Sequence, residues 1–158
     1  MQTLTDKLGA KKENGIGWII FNNPARHNAV SLEMWQAMPV VLDDYARDPA
    51  VRVVILKGEG EKAFVAGADI SQFKEKRGSA DSQAEYNRAV ERAYLAPVQC
   101  AKPVIAKIRG ICIGGGLGLA AACDVRLASA DSVFRMPAAR LGLGYSATGV
   151  RRFMNVIG

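Results

Sequence analysis

Ile108-Arg109-Gly110-Ile111-Cys112-Ile113-Gly114-Gly115-Gly116-Leu117-Gly118-Leu119-Ala120 is the stretch whose reading decides the fold. An apolar β-type run, residues 103–108, leads into it. Three consecutive glycines follow, and then a small-residue apolar segment, 117–122, suited to a buried helix. Strand, glycine turn and helix start, in that order, expose backbone N–H groups at a helix N-terminus. Those donors and the helix dipole favour negative charge. A second glycine loop, Ala66-Gly67-Ala68-Asp69-Ile70, follows the strand-like run 51–57 and a short strand at 64–66. Two such loops can each give one N–H to a single oxygen, forming an oxyanion hole. Taken alone, the glycine triplet reads first as a tight turn with close helix packing. No Lys-Ser or Lys-Thr follows at Walker A spacing, and no GxGxxG opens the segment.

Working outward, residues 15–22 (Gly-Ile-Gly-Trp-Ile-Ile-Phe-Asn) read as a buried strand ended by the turn Asn22-Asn23-Pro24. Ser31 is a natural N-cap for a helix over 32–47, in which Met34, Trp35, Met38, Val41 and Leu42 recur at helical spacing. Pro39 within that run predicts strain or a kink. Asp48-Pro49 breaks the chain before the strand 51–57. Residues 71–84 are polar and read as an exposed segment, with a lid over a ligand as the functional alternative. A helix over 84–96, a linker over 97–102, strands at 124–128 and 133–135, and a final helix at 147–156 complete the pattern.

With 158 residues the chain is one domain by length, long enough for a sizeable core. Hydrophobic residues at 49% and charged residues at 23% are ordinary for a soluble globular protein. The net charge of +6 is spread along the chain, and aromatics reach only 7%, so no stacking platform for nucleic acid is implied. Cys100, Cys112 and Cys123 lack CxxC spacing, and with one histidine a zinc site is not expected. All three sit in apolar surroundings and read as inert thiols. An odd count without a signal peptide points to a reducing cytoplasm. No apolar run reaches the length of a membrane span.

Three segments occur in an order that resembles the crotonase superfamily, the enoyl-CoA hydratase/isomerase family. They are Asn23-Pro24-Ala25-Arg26-His27-Asn28-Ala29, then Lys62-Ala63-Phe64-Val65-Ala66-Gly67-Ala68-Asp69-Ile70, then residues 110–120 with Cys123-Asp124. The resemblance implies an α/β spiral of ββα units, with residues 1–158 forming the core domain. It implies a further helical C-terminal part beyond Gly158, and trimers or hexamers of the full-length protein. An acyl-CoA thioester is the implied substrate, with coenzyme A as part of that substrate and no separate cofactor, metal, nucleic acid or membrane. By motif, the oxyanion donors are the N–H groups of Ala68 and Gly115. Coenzyme A maps to Arg26, Lys62, Ala66, Gly67, Asp69, Ile70 and Gly114. His27 falls at the nucleotide end and reads as an ordinary loop residue.

The chain departs from the family where its hydratases carry two acid–base glutamates. Those positions are Gly118 and Ala138 here, and neither residue can move a proton. Tyr145, in Leu141-Gly142-Leu143-Gly144-Tyr145-Ser146, resembles the methylmalonyl-CoA decarboxylase branch, although that branch has histidine where this chain has Ala68. A packed tyrosine with a satisfied hydroxyl is an equal alternative. Arg140 could pair with a substrate carboxylate, and Asp69 and Asp124 read as structural residues bonding loop N–H groups. Three readings stay open: an acyl-CoA lyase or isomerase with altered proton-transfer groups, a decarboxylase-like variant using Tyr145, and a non-catalytic acyl-CoA-binding protein.

Overall fold

The computed structural model describes residues 5–69 and 80–158. Ile70 and most of the polar stretch read above as an exposed segment or lid therefore lie outside the described residues. The chain begins with an antiparallel pair, β1 (Leu8–Glu13) and β2 (Ile16–Phe21), turned at Asn14-Gly15, where both residues have positive φ. A 3-10 turn (Pro24–Arg26) leads to α1 (Leu32–Arg47). The Ser31 hydroxyl accepts the Met34 N–H at 3.4 Å, as its cap position predicts. The helix runs through the buried Pro39, so the proline is accommodated within one continuous element. Its apolar stripe seats Met34, Trp35, Met38, Leu42 and Tyr45 in the core, each at most 2% exposed.

Three units of like topology follow. The first is β3 (Val53–Gly58), β4 (Ala63–Val65) and α2 (Ala80–Gln99). The second is β5 (Val104–Ile108), β6 (Ile111–Ile113) and α3 (Gly115–Ala122). The third is β7 (Val125–Ala128), β8 (Val133–Arg135) and α4 (Ala147–Ile157), with a 3-10 turn (Ala138–Leu141) before the helix. The first strand of each unit enters a five-stranded sheet of order β1-β2-β3-β5-β7. The second enters a three-stranded parallel sheet of order β4-β6-β8. This is the spiral of ββα units expected from the sequence.

Two strands were not legible in the sequence pattern. The β1 strand alternates no apolar residues, because all but its first two residues face solvent. The run 103–113 is two strands rather than one leading into the glycines. Gly110, at φ 64, turns the chain from β5 into β6, and the glycine triplet follows β6. A Cβ at 110 would overlap the Lys62 carbonyl, which accepts the Ile111 N–H at 3.1 Å. The second helix is longer than its apolar pattern suggests and includes Pro97, which the sequence reading placed in a linker.

The organisation has one consequence for function. The loops after β4, β6 and β8 all leave the carboxyl ends of one small parallel sheet, a common location for ligand sites in α/β folds.

Candidate functional site

Residues 66–69, 114–116 and 136–146 are the segments brought together at those strand ends. The 66–69 loop is held on one side by α1's approach. Val30 N–H donates to the Gly67 carbonyl at 2.8 Å and Asp69 N–H to the Val30 carbonyl at 2.9 Å, a parallel bridge centred on Ala68. That pairing uses the groups flanking Ala68. On the other side Ala66 N–H donates to the His27 carbonyl at 3.0 Å. The second loop turns at Gly114 (φ 54, ψ −115), a conformation that suits glycine alone. Gly114 N–H donates to the Arg135 carbonyl of β8 at 2.9 Å. Among the described residues, neither the Ala68 nor the Gly115 N–H donates to a backbone oxygen. The loops touch: a Cβ on Gly67 would stand 3.8 Å from the Gly115 nitrogen. Both Ala68 and Gly115 line a single cavity.

The glycines after the turn are explained by packing. A Cβ at Gly116 would overlap the Val65 carbonyl and stand 2.8 Å from the Val65 Cβ, so α3 crosses β4 at backbone contact. A Cβ at Gly115 would press on the Trp35 indole at 3.1 Å. A Cβ at Gly118 would stand 2.7 Å from Tyr94 Cζ and 2.8 Å from its hydroxyl. The space that a side chain at 118 would need is therefore filled by a phenol from α2.

The sequence reading gave this stretch only as a helix over 84–96. It also supplies much of the cavity wall. Gln83, Asn87 and Glu91, four residues apart, line the cavity with Tyr86, Val90 and Tyr94. Helical spacing of these polar residues was the available signal, and it pointed to a wetted stripe beside an apolar one. Glu91 is the one carboxylate among the described lining residues, and it is exposed. Trp35 of α1, 1% exposed, also lines the cavity, and its buried indole N–H has no partner among the described residues. Trp35 and Tyr94 meet edge to face at 5.7 Å.

The third segment brings Ala138, Leu143, Gly144, Tyr145 and Ser146 to the same cavity. Tyr145 packs edge to face on Phe153 of α4 at 5.9 Å. It lines the cavity beside Tyr94, whose hydroxyl lies 3.5 Å from the Gly115 carbonyl. Burial pushes both phenols above the ordinary tyrosine range, Tyr94 well above it, so both are neutral hydrogen-bonding groups at physiological pH. Arg140 is exposed and outside the cavity lining; the structure does not bring it to Tyr145.

None of the described residues assigned to coenzyme A lines that cavity. Arg26 is exposed and pairs at 3.3 Å with Asp69, whose side chain is 5% exposed. The two residues expected to contact one ligand therefore contact each other. Lys62 is exposed, while its carbonyl anchors β6. Asn28, unremarked beside His27, is the true brace of this region. It is 1% exposed, accepts the Asn23 N–H at 3.0 Å, and donates to the Glu59 and Ala63 carbonyls at 2.9 and 2.8 Å. His27 closes the 3-10 turn at φ 50 and is exposed. Asp124 accepts the Val104 N–H at 2.8 Å, the loop-bonding role expected of it. Burial pushes the Cys112 and Cys123 thiols up to about 12, whereas Cys100 is only half-buried.

Comparison with known proteins places this geometry in a family. The family model described as Enoyl-CoA hydratase/isomerase matches residues 11–158. A short-chain-enoyl-CoA hydratase from Clostridium acetobutylicum is 35% identical over 150 residues, covering 94% of this chain and 56% of the relative. A mitochondrial 3-hydroxyisobutyryl-CoA hydrolase from Gallus gallus is 37% identical over 134 residues, covering 84% and 35%. The crystal structure of an enoyl-CoA hydratase/isomerase family protein from Hyphomonas neptunium superposes with a TM-score of 0.93 at 34% identity, covering 99% of this chain and 60% of that one. The chain thus spans between about a third and three fifths of the length of these relatives, and across that span it belongs to the enoyl-CoA hydratase/isomerase family.

Proposed function

We propose that the chain provides the thioester site of an acyl-CoA enzyme that stabilises an enolate and lacks the paired acids of a hydratase. The observation that carries this reading is the makeup of one cavity. Ala68 and Gly115 line it with small residues and spare backbone donors, Ala138 brings no acid to it, and Gly118, with no side chain to offer, lines the adjoining cleft that shares Tyr94. Drawing a thioester oxygen between two preorganised N–H groups lowers the barrier to an enolate by roughly 3–4 kcal/mol per donor. Coenzyme A itself is held, in this reading, by residues 66–70, Gly114, Arg26 and Lys62, with the two cations serving the phosphates. Because Arg26 already leans on Asp69, Lys62 carries the larger share. Replacing both by Ala should weaken coenzyme A binding about tenfold at low salt and less at high salt. Affinity unchanged at every salt concentration would remove them from the site.

Decarboxylation is the second reading, favoured by the neutral Tyr145 in the cavity wall. In a malonyl-type thioester the carboxylate C–C bond breaks and CO2 leaves. Its electron pair passes to the thioester enolate, and a proton from solvent then completes the product. No protein base is needed. A binding protein without turnover is the reading that remains if no thioester is converted. The full-length protein should be offered enoyl-CoA and malonyl-type CoA esters, with products read by mass. The account expects conversion of a malonyl-type ester, slowed about tenfold by Tyr145→Phe and unchanged by Ala138→Gly. Binding without conversion of either class supports the non-catalytic reading. The apolar surface exposed on the third unit, including Leu127, Met154 and Ile157, supports association into trimers or hexamers through that face.

A further inference from the structure

Tyr94 stands between two hollows. In front is the cavity lined by Ala68 and Gly115. Behind lies a narrow cleft between α2, α3 and α4, bordered by Gly118 and given a mostly apolar lining by Leu95, Ala122 and Phe153. Tyr94 borders both hollows. Its ring is held by neighbours on α1 and α3. Trp35 meets it edge to face at 5.7 Å, and its hydroxyl lies 3.5 Å from the Gly115 carbonyl. Gly115 and Gly118 are three residues apart on α3 and so share one helix face. Both look onto the same phenol. A Cβ at Gly115 would stand 3.5 Å from the Tyr94 hydroxyl, and one at Gly118 would stand 2.7 Å from its Cζ. The phenol thus lies along the strip of α3 that runs from the front cavity to the rear cleft.

We infer that Tyr94 is a specificity-determining residue whose ring shuts the rear cleft against the alkyl end of an acyl thioester. This inference rests on the reading that acyl-CoA binds with its thioester at Ala68 and Gly115. The ring, not the hydroxyl, is the closing element, because it is the ring's outer edge that fills the space over Gly118. Without that ring the two glycines would face open space, and the cavity and cleft would join along α3. The cleft behind suits an alkyl tail. Leu95, Ala122 and Phe153 offer it apolar surface. Glu91 and Arg152, which also border the cleft, carry opposite charges, so its lining gives no net charge to attract an ionised tail. Each methylene moved from water into such a lining is worth about a fourfold gain in affinity. Tyr94 withholds that gain from longer chains and confines the acyl group to the front cavity.

The test is equilibrium binding of butyryl-CoA, hexanoyl-CoA and octanoyl-CoA to the full-length protein. The quantity read is the ratio of octanoyl-CoA to butyryl-CoA affinity. Tyr94→Ala should raise that ratio about tenfold over the wild type, the effect of roughly two methylenes admitted to the cleft. Tyr94→Phe keeps the ring and should hold the wild-type ratio within about twofold. Tyr94→Leu keeps apolar packing on Trp35 but lacks the atoms that abut Gly118. It should raise the ratio about fourfold, and it carries the test if Tyr94→Ala does not fold. Thr148 borders the rear cleft from α4 and does not line the front cavity. Thr148→Phe should therefore cancel the gain of Tyr94→Ala and leave the ratio of the wild type unchanged, a coupling that two independent sites would not show. An unchanged ratio in folded Tyr94→Ala or Tyr94→Leu, or a gain that survives Thr148→Phe, would overturn the inference while butyryl-CoA binding leaves the thioester reading intact. So would a Tyr94→Phe ratio as high as that of Tyr94→Ala, since the hydroxyl would then be the selective group. A folded wild type that binds none of the three esters would overturn both.

Discussion

The second and third ββα units share a topology and differ in burial. In the second unit, Val104, Ala106, Ile108 and Cys112 are at most 3% exposed, and α3 is sunk on nearly every side. In the third, every residue of β7 and β8 is exposed, and α4 buries none of its residues. Leu127 is 58% and Ile157 75% exposed. Backbone pairing is therefore the main tie that carries the third unit into register, β7 on β5 and β8 on β6. Side-chain packing carries the second. The candidate site straddles this boundary. Its backbone donors stand on the first and second units, and Tyr145 stands on the open third. Such a division gives a rigid oxygen pocket beside a wall that can be altered at small cost in stability.

Glycine substitutions should show the contrast most strongly. Gly116→Ala forces a methyl into the Val65 carbonyl and should cost about 3 kcal/mol. Gly144→Ala, in the third unit, meets nothing within 4 Å and should stay within about 0.5 kcal/mol. Chemical denaturation of the two variants would read the difference, and equal losses would erase the distinction between the units. Gly118→Glu should cost at least as much as Gly116→Ala, since it drives a carboxylate against the Tyr94 ring. Restoring a hydratase's pair of acids thus requires truncating Tyr94 as well as changing Gly118 and Ala138, a requirement the sequence alone does not reveal.

Alkali should act next, through buried phenols and thiols. Burial raises Tyr45, Cys112 and Cys123 to about 12, from ordinary values of 10, 9 and 9. Their neutral forms are favoured by folding, so their contribution is complete below about pH 9 and is lost as pH rises toward 12. Stability followed by denaturant titration should be flat from pH 7 to about 8.5 and decline above it. Tyr45→Phe should make the decline above pH 10 shallower. Stability that rises between pH 9 and 12 would contradict the burial of these groups. The smallest effect belongs to the open face. Leu127→Thr should change monomer stability by less than about 0.5 kcal/mol while reducing self-association, both measurable by denaturation and sedimentation. A loss of several kcal/mol in the monomer would show that this face is packed from within.

Much of this architecture was legible because local signals agreed. Ser31 before an apolar stripe defined α1 to the residue, and Val133–Arg135 was found as a strand with its exact bounds. The two glycine loops were identified as neighbours because each follows a strand and is rich in small residues. What escaped was set by distant contacts. The β1 strand has no apolar alternation, since its outer face is solvated and its partner is the neighbouring strand β2. The break at Gly110 depends on Lys62, 48 positions away in the sequence. Tyr94 was invisible as a site residue because its meaning lies in the missing side chain at 118, on another helix. The Arg26–Asp69 pair joins two residues that sequence reasoning had sent separately to one ligand. Each miss is a case of tertiary contact deciding what pattern could not.

The central claim is that this cavity has an oxygen pocket and no acid–base pair for adding water. Water must be deprotonated as it attacks, and a positioned base is worth a factor of roughly 10² to 10⁴. The direct test is the rate of crotonyl-CoA hydration by the full-length protein, measured beside its affinity for butyryl-CoA. The account predicts butyryl-CoA binding with hydration weak or absent; rapid hydration by the unmodified protein would contradict it.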